Sequence, residues 1–239
     1  MTNKVTFTID GVEVQADAGE TIIDAADKAG VYIPRLCHKP GLKPFGSCRV
    51  CTVLANGRPC SACTQPATPG MIVENDTESL TEYRKLLIEM LFVEGNHFCM
   101  FCEKSGNCEL QAMAYRFQIA APQFPFLFPK REVDATHPDI LIDHNRCILC
   151  ARCVRTSRDV DGKQVFDFVG RGPHKRVSVR TGSTLKDTAA DVTDAAVESC
   201  PVGALLRKRI GFSVPVGQRK YDHEPIGSEI EARRTAAAE

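Results

Sequence analysis

The chain has 239 residues, 43% hydrophobic and 25% charged, a composition ordinary for a soluble globular protein with room for one large domain or two to three small ones. Thirty basic residues balance thirty acidic ones, so charge gives no argument for nucleic acid or for an anionic membrane surface. No apolar run approaches the roughly 18–20 residues of a membrane span, and the N-terminal MTNKVTFTID alternates like a strand without an apolar signal core, which points to the cytoplasm.

Three modules are expected in chain order. In the first, residues 1–78, Val5 to Ile9 alternates, Asp10-Gly11 marks a hairpin turn, and Val12 starts the return strand. Thr21 and Asp24 form a capping box for a helix ending at Gly30. A long cysteine-bearing loop follows, then a strand from Val50 to Leu54, an Asn56-Gly57 turn and a last strand, Met71 to Val73. Hairpin, helix, loop and two late strands predict a small mixed sheet with a helix across it. In the second module, residues 79–137, Ser79 with Glu82 opens a periodic helix through Leu86, Leu87, Met90 and Leu91 to about Val93. After a cysteine loop, a second helix runs from about Glu109 to Gln118. The proline-broken aromatic stretch PQFPFLFPK, residues 122–130, reads as an extended connector packed across the module boundary. The third module covers 138–211, and residues 212–239 read as a polar tail.

Twelve cysteines are the unusual feature. The chain is too large to need disulfide staples, and its cysteines cluster at gaps of two and five, the spacing of metal ligands. The most specific set is Cys147-x2-Cys150-x2-Cys153 with the distant Cys200-Pro201. Three thiolates from one loop and a fourth that precedes proline suit a [4Fe-4S] cube. Where a two-cluster ferredoxin would continue, Ser157, Ala190, Thr193 and Ala196 stand in place of cysteines, so one cluster remains. Tetrahedral zinc sites seldom crowd thiolates at this spacing.

The first module offers Cys37, Cys48 and Cys51, with Cys60 and Cys63 competing for the fourth place around a [2Fe-2S] cluster. Spacing does not choose between those two, and the small Gly46 and Ser47 let the backbone approach the sulfides. In the middle module Cys99, Cys102 and Cys108 supply three thiolates, one short of a [4Fe-4S] cube. The fourth donor is His97 or whichever of Cys60 and Cys63 the first cluster leaves. Imidazole in place of thiolate removes a negative charge and shifts the reduction potential upward.

The stretches RLCHKPGLKPFGSCRVC, EGNHFCMFCEKSGNCELQA and CILCARC…CPVGAL, in this order, resemble the N-terminal part of the large iron–sulfur subunit of respiratory complex I. A free-standing chain of this length, with GFSVPVGQRKYD late in its sequence, is similar to the small diaphorase subunit of soluble NAD-reducing nickel–iron hydrogenases. The resemblance covers nearly all of residues 1–225. It implies an α+β chain with a β-grasp [2Fe-2S] ferredoxin-like domain, a small helical His/Cys module and a bacterial ferredoxin-like [4Fe-4S] domain. It also implies Cys63, in its Ala-Cys-Thr context, as fourth ligand of the first cluster and His97 as fourth ligand of the second. Many of the family place three residues between that histidine and the first cysteine, where this chain places one.

No G-x-G-x-x-G turn is present, Gly170 and Gly172 being isolated, and no second cysteine pair suits nickel–iron. The expectation is therefore a relay of single electrons with no catalytic residue. The implied partners are a flavin- and NAD-binding diaphorase subunit and the small and large (nickel–iron) hydrogenase subunits, in the reaction of H2 and NAD+ to NADH and a proton. The competing readings are a relay subunit of a NAD-dependent formate dehydrogenase or a complex I-like dehydrogenase, an interaction protein with three structural zinc sites, and a cluster-based sensor.

Overall fold

The computed structural model describes residues 4–180 and 184–236. Strands β1 (Lys4–Ile9) and β2 (Val12–Asp17) form the first hairpin. Its turn residues Asp10 and Gly11 both take positive φ, at 49° and 79°, the primed turn whose twist matches that of the flanking strands. Helix α1 (Ile22–Lys28) is capped by the Thr21 hydroxyl, which accepts from the Asp24 amide at 3.3 Å. Strand β3 (Thr52–Ala55) turns at Asn56-Gly57 into β4 (Arg58–Ser61), and β5 (Ile72–Glu74) completes a five-stranded sheet in the order β2-β1-β5-β3-β4. Only the β1–β5 pairing in it is parallel. Phe7, Ile9, Val14 and Ala16 alternate onto one face and bury against Ile22, Ile23, Ala25 and Ala26 of α1. The expected mixed sheet with a crossing helix is present. Strand β4 is an addition: it is short, contains Pro59 and lies at the sheet edge, where a missing amide costs no ladder bond.

Helix α2 (Glu78–Val93) starts two residues earlier than Ser79 suggests, because Thr77 is the cap and accepts from the Leu80 amide at 3.2 Å. Its inward stripe is Leu80, Arg84, Ile88 and Val93, while Leu86 and Met90 are exposed. Buried Arg84 reaches the carbonyls of Val50, Thr52 and Asn75 and the Asn75 side chain, tying α2 to the chain on either side of Cys51. Helix α3 (Glu109–Arg116) packs against α2. The 122–130 connector is extended as expected, with the Leu127 amide on the Val93 carbonyl at 3.0 Å. Its Phe124, Phe126, Leu127 and Phe128 side chains face solvent instead of a module boundary, since the backbone alone holds it down.

In the third module β6 (Val133–Asp134), β7 (Ile140–Asp143) and β10 (Leu205–Arg207) pair antiparallel in the order β10-β7-β6. Helices α4 (Arg152–Asp159) and α5 (Ala195–Glu198) pack together, and β8 (Phe166–Val169) pairs with β9 (Arg176–Val179). One core runs from Tyr32, Leu36 and Val50 through Ile88, Leu110 and Met113 to Ile140, Ile142 and Leu205, so all three modules share it. The tail corrects the sequence reading. It ends in α6 (Ser228–Ala236), and Ile226 and Ile230 are buried. Arg116 binds the Ile226 carbonyl at 2.9 Å and pairs with Glu231, fastening the tail across the first two modules.

Candidate metal centres

The long loop between α1 and β3 carries Cys37, Cys48 and Cys51, and Cys63 lies in the turn just after β4. The Cys37 amide donates to the Cys48 sulfur at 3.4 Å. Cys37 bonds through its thiol with Cys48 and Cys63, and Cys51 bonds with Cys63. Those bonds, Cys48 first, draw Cys37 well below the usual thiol range, and Cys51 is lowered chiefly by Cys63. Cys48 and Cys63 are pushed up by the same bonds and then by burial. The site thus gathers four neighbouring sulfurs, linked in the series Cys48, Cys37, Cys63 and Cys51, and a metal taking all four as thiolates displaces their remaining protons. Cys60 sits half-buried on β4 opposite Val53 and makes none of these bonds. Gly46 adopts φ 69°, while the Ser47 hydroxyl turns to the Leu149 carbonyl of the third module at 3.4 Å.

His97, Cys99, Cys102 and Cys108 line one small cavity with Phe92, Leu110 and Arg146. Cys99 opens a single 3-10 turn, and Cys108 caps α3 with its sulfur, which accepts from the Gln111 amide at 3.5 Å. Burial pushes the Cys108 thiol up to about 12. His97 stands edge-on to Phe92, with ring centroids 5.4 Å apart. Burial, opposed by a hydrogen bond to the Leu91 backbone, lowers its pKa to about 4, so the ring is neutral at physiological pH. Its Nε2 is buried without a hydrogen-bond partner. A buried, neutral imidazole with Nε2 unpartnered, beside three thiols in one cavity, suits a metal-ligating histidine.

Cys147, Cys150, Cys153 and Cys200 line a second enclosed cavity walled by Ile142, Ile148, Val177 and Leu205. Leu149 and Ala151 both take left-handed conformations, φ 53° and 59°, and so curl the loop around three sulfurs facing one side. The fourth sulfur arrives after α5. Burial raises Cys147 to about 11 and lifts Cys150 and Cys153 further. Among the described residues no three His, Cys, Asp or Glu side chains converge tightly enough for a single ion. Donors lining a cavity, as in the second and third sets, suit a polynuclear cluster, and in all three sets the donor chemistry and burial fit iron–sulfur ligation.

The third set touches both others. The main chain after Cys200 passes over the second set: the Glu109 amide donates to the Pro201 carbonyl at 2.8 Å, and a Cβ on Gly203 would run into the Cys102 sulfur. Arg146 lies 3.5 Å from that sulfur and pairs with Glu103 and Asp143. Toward the first set, Arg152 grips Glu109 at 2.6 and 2.7 Å and the His38 carbonyl at 2.9 Å. Removing one partner of such a buried pair costs about 3–5 kcal/mol. Arg155 reaches the Cys37 carbonyl at 2.5 Å and the Cys150 carbonyl at 3.4 Å. Sequence reasoning missed these arginines. The available signal was two arginines three residues apart flanking Cys153, on a helix that has to be buried to present that cysteine.

Three family models match successive regions of the chain. The family model for a 2Fe-2S iron–sulfur cluster binding domain matches residues 2–78. That for the NADH-ubiquinone oxidoreductase-G iron–sulfur binding region matches residues 84–122, and the ferredoxin-like domain of NADH-quinone oxidoreductase subunit 3 matches residues 137–206. The gamma subunit of the NAD-reducing hydrogenase HoxS of Cupriavidus necator is 40% identical over 223 residues, covering 93% of this chain and 95% of the relative. The mitochondrial NADH-ubiquinone oxidoreductase 78 kDa subunit of Candida albicans is 34% identical over 213 residues, and there the match spans only 29% of the relative. A crystal structure of a NAD+-reducing [NiFe]-hydrogenase in the H2-reduced state contains a chain that superposes with a TM-score of 0.92 at 46% identity, covering 96% of this chain and 98% of that one.

Proposed function

From the premise that this chain belongs to the family of the NAD-reducing hydrogenase gamma subunit, we propose that it relays single electrons between a flavin- and NAD-binding subunit and the small and large subunits of a nickel–iron hydrogenase. It is an electron-transfer subunit of a redox complex, with a [2Fe-2S]-binding domain and two further iron–sulfur regions. In our reading the first cluster is a [2Fe-2S] on Cys37, Cys48, Cys51 and Cys63. The two [4Fe-4S] clusters sit on His97, Cys99, Cys102 and Cys108 and on Cys147, Cys150, Cys153 and Cys200. Bound there, each cluster accepts and gives up one electron at a time.

The observation that carries the proposal is the contiguity of the three sets. The Cys147 set meets the Cys37 set through Ser47 and Arg155, and the second set through Pro201 and Gly203. It is the middle station of the path, although it comes last in the sequence. The protein supplies burial, which excludes water from the sulfurs, and nearby positive charge that stabilises an added electron. Cys99 is flanked by Phe98, Met100 and Phe101, exposed at 62%, 85% and 73%, an apolar face suited to a partner subunit beside the second set. The division at residues 78, 137 and 211 belongs to the same reading, as does a cytoplasmic location. No described helix is long and apolar enough to cross a membrane. A relay role in a formate or complex I-like dehydrogenase is less favoured, because the hydrogenase subunit matches over nearly its whole length.

The test uses the purified chain and the complex. The chain alone is expected neither to oxidise H2 nor to reduce NAD+. A complex lacking it is expected to lose H2-driven NAD+ reduction while each remaining half still works with artificial dyes. Turnover of either substrate by the pure chain would refute the relay.

A further inference from the structure

Two buried arginines near the ligand sets make no ion pair among the described residues: Arg84 binds only around Cys51 and Asn75, whereas Arg155 reaches residues of two sets. Arg155 is 4% exposed, and its guanidinium is held only by main-chain carbonyls: Nε to Ala151 at 3.2 Å, Nη1 to Lys43 at 2.5 Å, and Nη2 to Cys37 at 2.5 Å and Cys150 at 3.4 Å. The Phe45 ring covers it, with the centroid 5.5 Å away. Arg152 has Glu109, and Arg146 has Glu103 and Asp143. Arg155 makes no ion pair among the described residues, and the neighbouring Asp159 is bound to Arg158. A desolvated cation with no counter-ion is costly. Its carbonyl partners include one residue of the first ligand set and one of the third, whose thiolates become negative once metal is bound. Resting on the ligand reading above, we propose that Arg155 is a single positive charge shared by the first and third ligand sets, which raises the reduction potentials of both clusters together.

The charge acts where an electron is added. One electron entering either cluster raises the local negative charge by one, and the same guanidinium stabilises both reduced states. The His97 set has its own cation, Arg146, and lies outside this pairing. Arg155 is thus a positioning and tuning residue that touches no reacting atom.

The experiment is EPR-monitored redox titration of the assembled chain carrying Arg155→Gln or Arg155→Lys. With Arg155→Gln, the midpoint potentials of both the [2Fe-2S] and the Cys147-set cluster should fall. The expected fall is at least threefold in each one-electron equilibrium, about 28 mV at 59 mV per tenfold, while the His97-set potential stays. Arg155→Lys, which keeps the charge, should stay near wild type. Failure of Arg155→Gln to assemble both clusters while Arg155→Lys assembles them at native potentials also supports the shared charge. A shift in only one cluster, an equal shift in all three, or equal effects of the two substitutions overturns it. Wild-type spectra separate the two levels: a missing [2Fe-2S] signal there sinks the ligand reading itself, whereas present but unmoved signals sink only the role of Arg155.

Discussion

Gly203→Ala tests how tightly the third module closes over the second ligand set. Gly203 lies three residues beyond Cys200, yet a methyl on it would collide with the Cys102 sulfur and stand 3.3 Å from Lys104 Cβ and 3.4 Å from Arg146 Nη1. The Arg146 guanidinium is pinned by Glu103 and Asp143, and Cys102 by its place in the ligand loop, so neither neighbour yields freely. Overpacking of this kind costs about 1–3 kcal/mol, roughly one to two decades in the occupancy of the correct geometry. The assay is spin quantitation of each cluster by low-temperature EPR, alongside iron per chain. The His97-set signal should drop while the [2Fe-2S] signal and the Cys147-set signal persist, even though the substitution lies in the third module. Full occupancy of the His97 set at an unchanged potential would refute the packing argument, and so would selective loss of the Cys147-set cluster.

Two further predictions concern the ligands themselves. Cys63→Ser should abolish the [2Fe-2S] signal while Cys60→Ser leaves all three signals intact, because only Cys63 bonds to the other sulfurs of its set; the opposite outcome would exchange the two cysteines. His97→Cys should retain a [4Fe-4S] cluster but lower its potential by on the order of 100 mV, since the added thiolate charge near ~4 Å in a medium of effective dielectric ~20 is worth at most about 4 kcal/mol. His97→Ala should give a labile cluster that loses iron, and a cluster of native potential and stability in that variant would make the histidine a bystander.

The parts of the fold that were legible in the sequence are those fixed by a few adjacent residues. Asp10-Gly11 and Asn56-Gly57 adopt the positive φ values their chemistry favours, and the Thr21 cap forms where it was expected. The cysteine spacings likewise group the side chains that line the two cavities of the second and third sets. What was hidden depends on contacts distant in sequence. Ser79 with Glu82 imitates a capping box, but Thr77 wins because its hydroxyl meets the Leu80 amide. The segment around Ile226 and Ile230 looks polar in isolation and becomes helical by docking near Tyr32. Cys60 and Cys63 are equivalent by spacing, and only the end of β4 before Cys63 separates them. Arg84, Arg152 and Arg155 break the apolar pattern of their helices, and their value lies in carbonyls and a carboxylate that the fold brings from other modules.

Metal content, measured together with spectroscopy on anaerobically purified chain, tests the three-cluster relay most directly. One [2Fe-2S] and two [4Fe-4S] clusters require about ten iron atoms per chain, and reduction should give three distinguishable EPR signals with no stoichiometric zinc. An iron content near that of one [2Fe-2S] plus one [4Fe-4S] cluster, about six atoms, or zinc bound in proportion to protein, would contradict the three-cluster relay.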